Sequence, residues 1–140
     1  MRHYPFSGRN FKMIPKILNL TQHTGTPDQA GAGLQEPSPE QKKEILSLIT
    51  FNEISDCSRK SILARANRLA QIACESGCPS AMIGGASYLQ GTLEKELRFA
   101  GIVPVHAFTK RVGVEEATPE GGVKKTFVFQ FEGWVESAII

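Results

Sequence analysis

Lys16-Ile17-Leu18-Asn19-Leu20, then Thr21-Gln22-His23-Thr24-Gly25, then Thr26-Pro27-Asp28-Gln29 are in turn a short apolar strand, a polar loop and a helix start. The last four residues form a capping box. The Thr26 hydroxyl can accept the amide three residues on, and the Gln29 side chain can return to the Thr26 amide. Pro27, at the first helical position, sacrifices no needed donor. A strand running straight into a loop and a capped helix is a βα unit, and it sets the class as α/β. Gly31 and Gly33 keep that helix short.

Outward from this unit the pattern repeats. Ser38-Pro39-Glu40-Gln41 opens a helix with Ile45, Leu46, Leu48 and Ile49 on its inner side. Residues 48–54 then read as a short buried strand or a connection. Asp56 or Ser58 caps the longest helix, over residues 58–75. Its Ile62, Ala66, Leu69 and Ala73 recur at helical spacing with Leu63 and Ala70 beside them. Arg59, Lys60, Arg65 and Arg68 make its solvated face. Gly77 ends it and Pro79 prevents its return. Ser80-Ala81-Met82-Ile83 is an apolar strand. Ser87-Tyr88-Leu89-Gln90 reads as a third capping box, starting a helix with a Leu89, Leu93, Leu97 stripe that Gly101 closes. A strand follows over residues 103–108, with Pro104 near its start. Residues 109–116 continue as strand or loop. Pro119-Glu120-Gly121-Gly122 turns the chain, and Phe127, Phe129 and Phe131 alternate along a return strand over 123–135. The expected architecture is Rossmann-like: a mostly parallel sheet flanked by helices, with right-handed crossovers and a C-terminal antiparallel hairpin at its edge.

The chain has 140 residues, 41% hydrophobic and 21% charged, with a net charge of +2. That is enough for one core, which the elements place at residues 15–137. Residues 1–14, basic and aromatic with His3 among them, read as a flexible extension, a misassigned start before Met13, or a basic arm that grips a partner. The weak net charge does not suit a binder of long duplex nucleic acid, and no apolar run reaches the length of a membrane span. Cys57, Cys74 and Cys78 are an odd number and form no disulfide framework. Cys74 and Cys78 have neither a second pair nor a nearby histidine to complete a zinc site, so no metal is expected. Cys74 is expected to pack on its helix and Cys78 in the turn after it. Reduced thiols fit a cytoplasmic protein.

Ligands of open α/β sheets bind outside the carboxyl ends of the strands. Three loops fall there: Thr21, Gln22, His23 and Thr24; then Gly84, Gly85 and Ser87; then Thr109, Lys110 and Arg111. The two glycines allow close backbone approach. The helix behind them aims free amides at the same place. Lys110 and Arg111 add fixed positive charge, and the set suits phosphate. It matches neither a phosphate-binding P-loop nor the full dinucleotide fingerprint. His23 is the histidine best placed for acid/base work. His106, inside a strand, is expected to be buried or to face a helix. Glu115 and Glu116 follow closely and are expected to balance the basic pair, the alternative being that one serves as a base. Each residue also has a plainer reading: a tight turn for the glycines, capping for Ser87, a loop histidine, a solvated basic pair.

Leu18-Asn19-Leu20-Thr21-Gln22-His23, Ala81-Met82-Ile83-Gly84-Gly85 and Ala107-Phe108-Thr109-Lys110-Arg111 resemble a family of small uncharacterised bacterial and phage proteins with an Asn-Leu-Thr-x-His signature on strand one. The resemblance runs from Ile17 to Val135. More distantly the chain is similar to CRISPR-associated Rossmann-fold (CARF) proteins and their stand-alone ring nucleases. That resemblance implies a homodimer whose strand-end loops meet around a cyclic oligoadenylate. It also implies metal-independent cleavage by a ribose 2′-hydroxyl. Carried over, Thr21 and His23 would orient the ribose, Gly84 and Gly85 would admit phosphate, and Lys110 or Arg111 would stabilise charge.

The expectation is a nucleotide-binding domain without a cofactor, acting as a phosphodiesterase or a sensor of a cyclic oligonucleotide signal. Its rival is a non-enzymatic interaction module that dimerises or binds a partner through the hairpin carrying Phe127, Phe129, Phe131 and Trp134. A small-molecule hydrolase lacks a nucleophile elbow.

Overall fold

The structure, a computed structural model, describes residues 15–139. The proposed N-terminal extension, with His3, lies outside the described residues. The elements in chain order are β1 (Ile17–Asn19), α1 (Pro27–Gly31), β2 (Leu34–Gln35), α2 (Pro39–Ile49), a 3-10 turn (Ile54–Cys57), α3 (Arg59–Ser76), β3 (Ser80–Met82), α4 (Ser87–Phe99), β4 (Val103–Ala117) and β5 (Val123–Glu136).

The five strands form one sheet in the order β2-β1-β3-β4-β5. The first four run parallel and β5 pairs antiparallel to β4. Residues 48–54 hold no strand. They finish α2 and connect it to the 3-10 turn, with Ile54 90% exposed. The strand beside β1 is instead Leu34–Gln35, too short to show a period.

Three helix starts form as their sequences dictate. Thr26 and Ser38 make complete capping boxes with Gln29 and Gln41, and Ser58 takes the Ser61 amide. Asp56 does not cap α3; its carboxylate accepts the Asn52 and Glu53 amides and tightens the turn before it. Gly77, at φ +76°, closes α3 in the left-handed conformation that glycine reaches without strain. The fourth start differs. Ala86 is the N-cap of α4, no side chain caps it, and Ser87 is already helical. The expected third box is absent because the chain turns one residue early, at Gly85, with φ +113°.

Leu18, Leu20, Ala81 and Ile83 pack against Ile45, Leu69, Ile72, Leu89, Leu93 and Leu97, so α2, α3 and α4 share one core cluster. A smaller cluster of Ile17, Leu34, Met82 and Val105 takes in Trp134 from β5. The Trp134 indole donates to the Ala32 carbonyl at the end of α1 (3.1 Å). Strands buried on both faces read as continuous apolar runs, which explains why the short strands lack alternation. Two expected inner residues, Leu46 and Leu63, are exposed, as is Cys74; Cys78 is buried.

The basic face of α3 is partly structural. Arg65 donates to the Leu48 and Thr50 carbonyls at the end of α2 (3.1 and 2.8 Å) and lies 4.3 Å over the Phe51 ring. Arg68 grips both oxygens of Glu44 (2.7 and 3.0 Å), which holds the Glu44 carboxyl below its ordinary value. At the chain's end, Arg98 of α4 fastens Glu136 (2.5 Å) and the Ser137 carbonyl (2.7 Å). Among the described residues, no helix is long and apolar enough to cross a membrane.

Candidate functional site

β1 and β3 are neighbours, with Asn19 opposite Met82. The chain leaves β1 towards β2 on one side and leaves β3 towards β4 on the other. The two loops therefore diverge and open a crevice at the carboxyl ends, where the strand order reverses. A cleft of about 480 Å³ occupies this place. Thr21, Gln22, His23 and Thr24 line it from the β1 loop, Gly84, Gly85 and Ala86 from the β3 loop, and His106 and Ala107 from β4. The volume is within the usual range for small-ligand sites.

Asn19 holds the β1 loop in shape. Its side chain is fully buried, and its Oδ1 accepts from the Thr21 amide (2.9 Å) and hydroxyl (2.7 Å). Its Nδ2 donates to the His23 carbonyl (2.7 Å) and to both Glu36 oxygens (3.1 Å each). Glu36 also accepts the Gly25 amide (3.0 Å), and Lys42 donates to the Thr21 carbonyl (2.8 Å). A Cβ on Gly25 would collide with the Leu34 side chain. The loop's backbone is thus satisfied from β1, the end of β2 and α2. Gln22, His23 and Thr24 stay exposed. Asn19, Glu36 and Lys42 carry no sequence motif for this role, because their contacts join three elements.

On the facing side, Gly85 turns the chain into α4. Of the first-turn amides of α4, that of Leu89 already donates to the Ala86 carbonyl (3.0 Å), and those of Ser87 and Tyr88 remain as donors at the positive end of the helix dipole. Three other helices fill this need with Thr26, Ser38 and Ser58; α4 does not, and its N-cap residue lines the cleft. Gln90, expected to complete a box, instead has its carboxamide N and O buried without partners.

His106 faces a helix, as its place in the strand suggests, and also lines the cleft. Its Nε2 lies 3.2 Å from Oε1 of Glu94, a buried carboxylate on α4. A carboxylate bound to one ring nitrogen fixes the ring's orientation and leaves the other nitrogen available. The signal was Glu94 itself, an acid beside Leu93 in the apolar stripe.

Ser87, Thr109, Lys110 and Arg111 are not among the cleft's lining residues. β4 does not stop at Phe108 but continues to Ala117, paired there with β5 alone. The basic pair therefore sits on an extended hairpin, with the Arg111 guanidinium 3.9 Å over the Phe127 ring. Among the described residues, no group of three or more His, Cys, Asp or Glu could hold a metal ion.

The sequence model described as the Uncharacterized protein MJ1673 family matches residues 15–135. No curated protein and no solved structure matches the chain.

Proposed function

The chain belongs to the Uncharacterized protein MJ1673 family, and we propose that it is a Rossmann-like domain that binds a nucleotide in the switch-point cleft. One observation carries this reading: the uncapped start of α4 borders that cleft beside the Gly84-Gly85 turn. An anion there would accept the Ser87 and Tyr88 amides, since the Leu89 amide is already taken by the Ala86 carbonyl. Gln22, His23 and Thr24 face the same space with neutral donors and acceptors, which suits a sugar or base attached to the phosphate.

The more specific reading is metal-independent phosphodiester cleavage or sensing of a cyclic oligonucleotide, in the manner of the CARF-like ring nucleases. A ribose 2′-oxygen would attack the adjacent phosphorus, its proton passing to a histidine, while the 5′-oxygen leaves and is protonated. His23 is suited to move one of these protons, and His106, oriented by Glu94, the other. Lys110 and Arg111 have no part in this account, since they stand outside the lining. Free cysteines agree with a cytoplasmic setting.

A thermal-shift panel of mononucleotides and cyclic oligoadenylates tests binding. The expected result is a rise in Tm for the wild type that His23→Ala reduces. No shift with any nucleotide well above micromolar concentration would overturn the proposal. The second reading, an interaction module, is favoured by the exposure of Phe127 (52%) and Phe129 (74%) on the hairpin. The hairpin and the cleft are separate features, and one protein can use both.

A further inference from the structure

β4 changes its surroundings halfway along. Up to Val105 it lies between β3 and β5, and the Ile83 amide still reaches the Val105 carbonyl (3.0 Å). From Phe108 to Ala117 it pairs only with β5. The register shift between Phe108 and Thr109 marks the junction. Beyond it the hairpin is a two-stranded arm with both faces largely in water, and among the described residues no strand covers its β4 edge. An isolated two-stranded ribbon is marginal in water, and a free edge offers a row of unpaired N–H and C=O groups.

That edge reads Lys110-Arg111-Val112-Gly113-Val114-Glu115-Glu116. The segment is symmetric in size and antisymmetric in charge about Gly113. We propose that this edge pairs antiparallel with the same edge of a second copy, Gly113 facing the partner's Gly113 across a two-fold axis. Lys110 then faces the partner's Glu116, Arg111 the partner's Glu115, and Val112 the partner's Val114, each contact made twice. The side-chain parity agrees: even-numbered positions share one face of the arm and odd-numbered positions the other. A slip of two residues removes every opposite-charge pair, and a parallel in-register pairing sets like charges side by side. The charges thus select one register and one direction. Such a self-complementary patch is what a two-fold interface requires.

Three observations support the partner being this same chain. Among the described residues Lys110, opposite Gln130, makes no ion pair, and Glu115 and Glu116, opposite Lys125 and Lys124 of β5, make no close ion pair with them, which leaves these charges able to turn to the open edge. Gly113 sits mid-strand, where glycine weakens a strand unless another backbone comes close; the Phe127 ring beside it, 3.6 Å from where a Cβ would stand, covers the gap on one face. Across the four-stranded sheet, Val128, Val112 and the partner's Val114 would form one aliphatic row, because Val112 lies opposite Val128 in the arm.

The geometry has a consequence for the cleft. Its β4 rim, at Ala107, is six residues from Gly113. At roughly 3.4 Å per residue the two clefts of the dimer lie about 40 Å apart along the strands. In this dimer the two clefts stand apart, and each ligand would be held by the loops of its own chain. The pairing does not depend on what the cleft binds, so its failure and the failure of nucleotide binding are read separately.

Two variants test it by light scattering on the full chain. Lys110→Glu/Arg111→Glu makes the edge wholly acidic, and Glu115→Lys/Glu116→Lys makes it wholly basic. The expected result is a dimeric wild type that weakens with salt, two monomeric variants, and a heterodimer when the variants are mixed. Dimers of either variant alone, a mixture that stays monomeric, or a wild type monomeric at its highest soluble concentration would overturn the proposal. Recovery on mixing cannot come from misfolded chains, and the salt dependence of the wild type needs no variant.

Discussion

The sheet body and the arm are built from the same strand, β4, yet they are held by opposite means. In the body, strands of two or three residues persist because both faces are covered: Ile17, Leu18, Ala81 and Val105 are almost wholly inaccessible to water. In the arm, β4 and β5 run much longer, and Phe129 is still 74% exposed. Strand length therefore says little about stability. The body's positions answer to packing within the chain. The arm's positions answer to cross-strand pairs and to whatever meets its edge.

The contrast can be broken most sharply by truncating one apolar side chain in each region. Leu93, fully buried between α4 and its neighbours, should cost about 2–5 kcal/mol as Leu93→Ala, through lost transfer energy and the cavity left behind. Val128→Ala in the arm, where Val128 is 48% exposed, should change monomer stability by no more than about 0.5 kcal/mol, as exposed substitutions do. Equilibrium denaturation at a concentration where the chain is monomeric measures both. Equal losses would show that the arm is packed against its own chain.

A smaller effect is expected at Asn19, where packing and site architecture meet. Asn19→Ala leaves the Thr21 amide without its partner and takes one donor each from the His23 carbonyl and from Glu36, which keeps the Gly25 amide. The expected loss is about 2 kcal/mol, the scale of a buried polar group left unsatisfied. Because the loop that lines the cleft loses its anchor, any ligand-induced rise in Tm should vanish as well. Retained ligand response with lowered stability would separate the loop's shape from binding.

The body was legible wherever the controlling interactions were local. Thr26 with Gln29, Ser38 with Gln41, and Gly77 each act within a few residues, and their helices start or end where the spacing says. Ser87-Tyr88-Leu89-Gln90 shows the limit of that logic. It has the pattern of a capping box, but the positive φ of Gly85 starts the helix one residue sooner, and no residue pattern announces which turn wins. The β1 and β3 loops of the site followed from strand order. The third did not, because nothing in Phe108-Thr109 tells a strand that its neighbour has ended while its hairpin partner continues. Long-range ties were silent too: Asn19 to Glu36, Lys42 to the Thr21 carbonyl, His106 to Glu94. Each joins residues that look ordinary in their own surroundings.

The smallest expected effect concerns the connection between α2 and α3, which like the arm lacks a sheet partner on both sides. Unlike the arm, it is tied inward. Asp56 accepts the Asn52 and Glu53 amides (3.0 and 3.1 Å), and these bonds, with a smaller contribution from Arg65, hold its carboxyl below the ordinary value. A carboxyl depressed in the folded chain stabilises it fully above the unfolded value, near about pH 4. That contribution is lost as pH falls through the lower folded value, because the unfolded chain then takes up the proton first. Asp56→Asn keeps the shape and removes the charge. Stability followed by urea denaturation from neutral pH downwards should therefore fall slightly less steeply in Asp56→Asn than in the wild type below about pH 4. Identical slopes would mean that the two amide bonds are too exposed to discriminate between the protonation states. The connection would then resemble the arm, a segment whose polar groups face water.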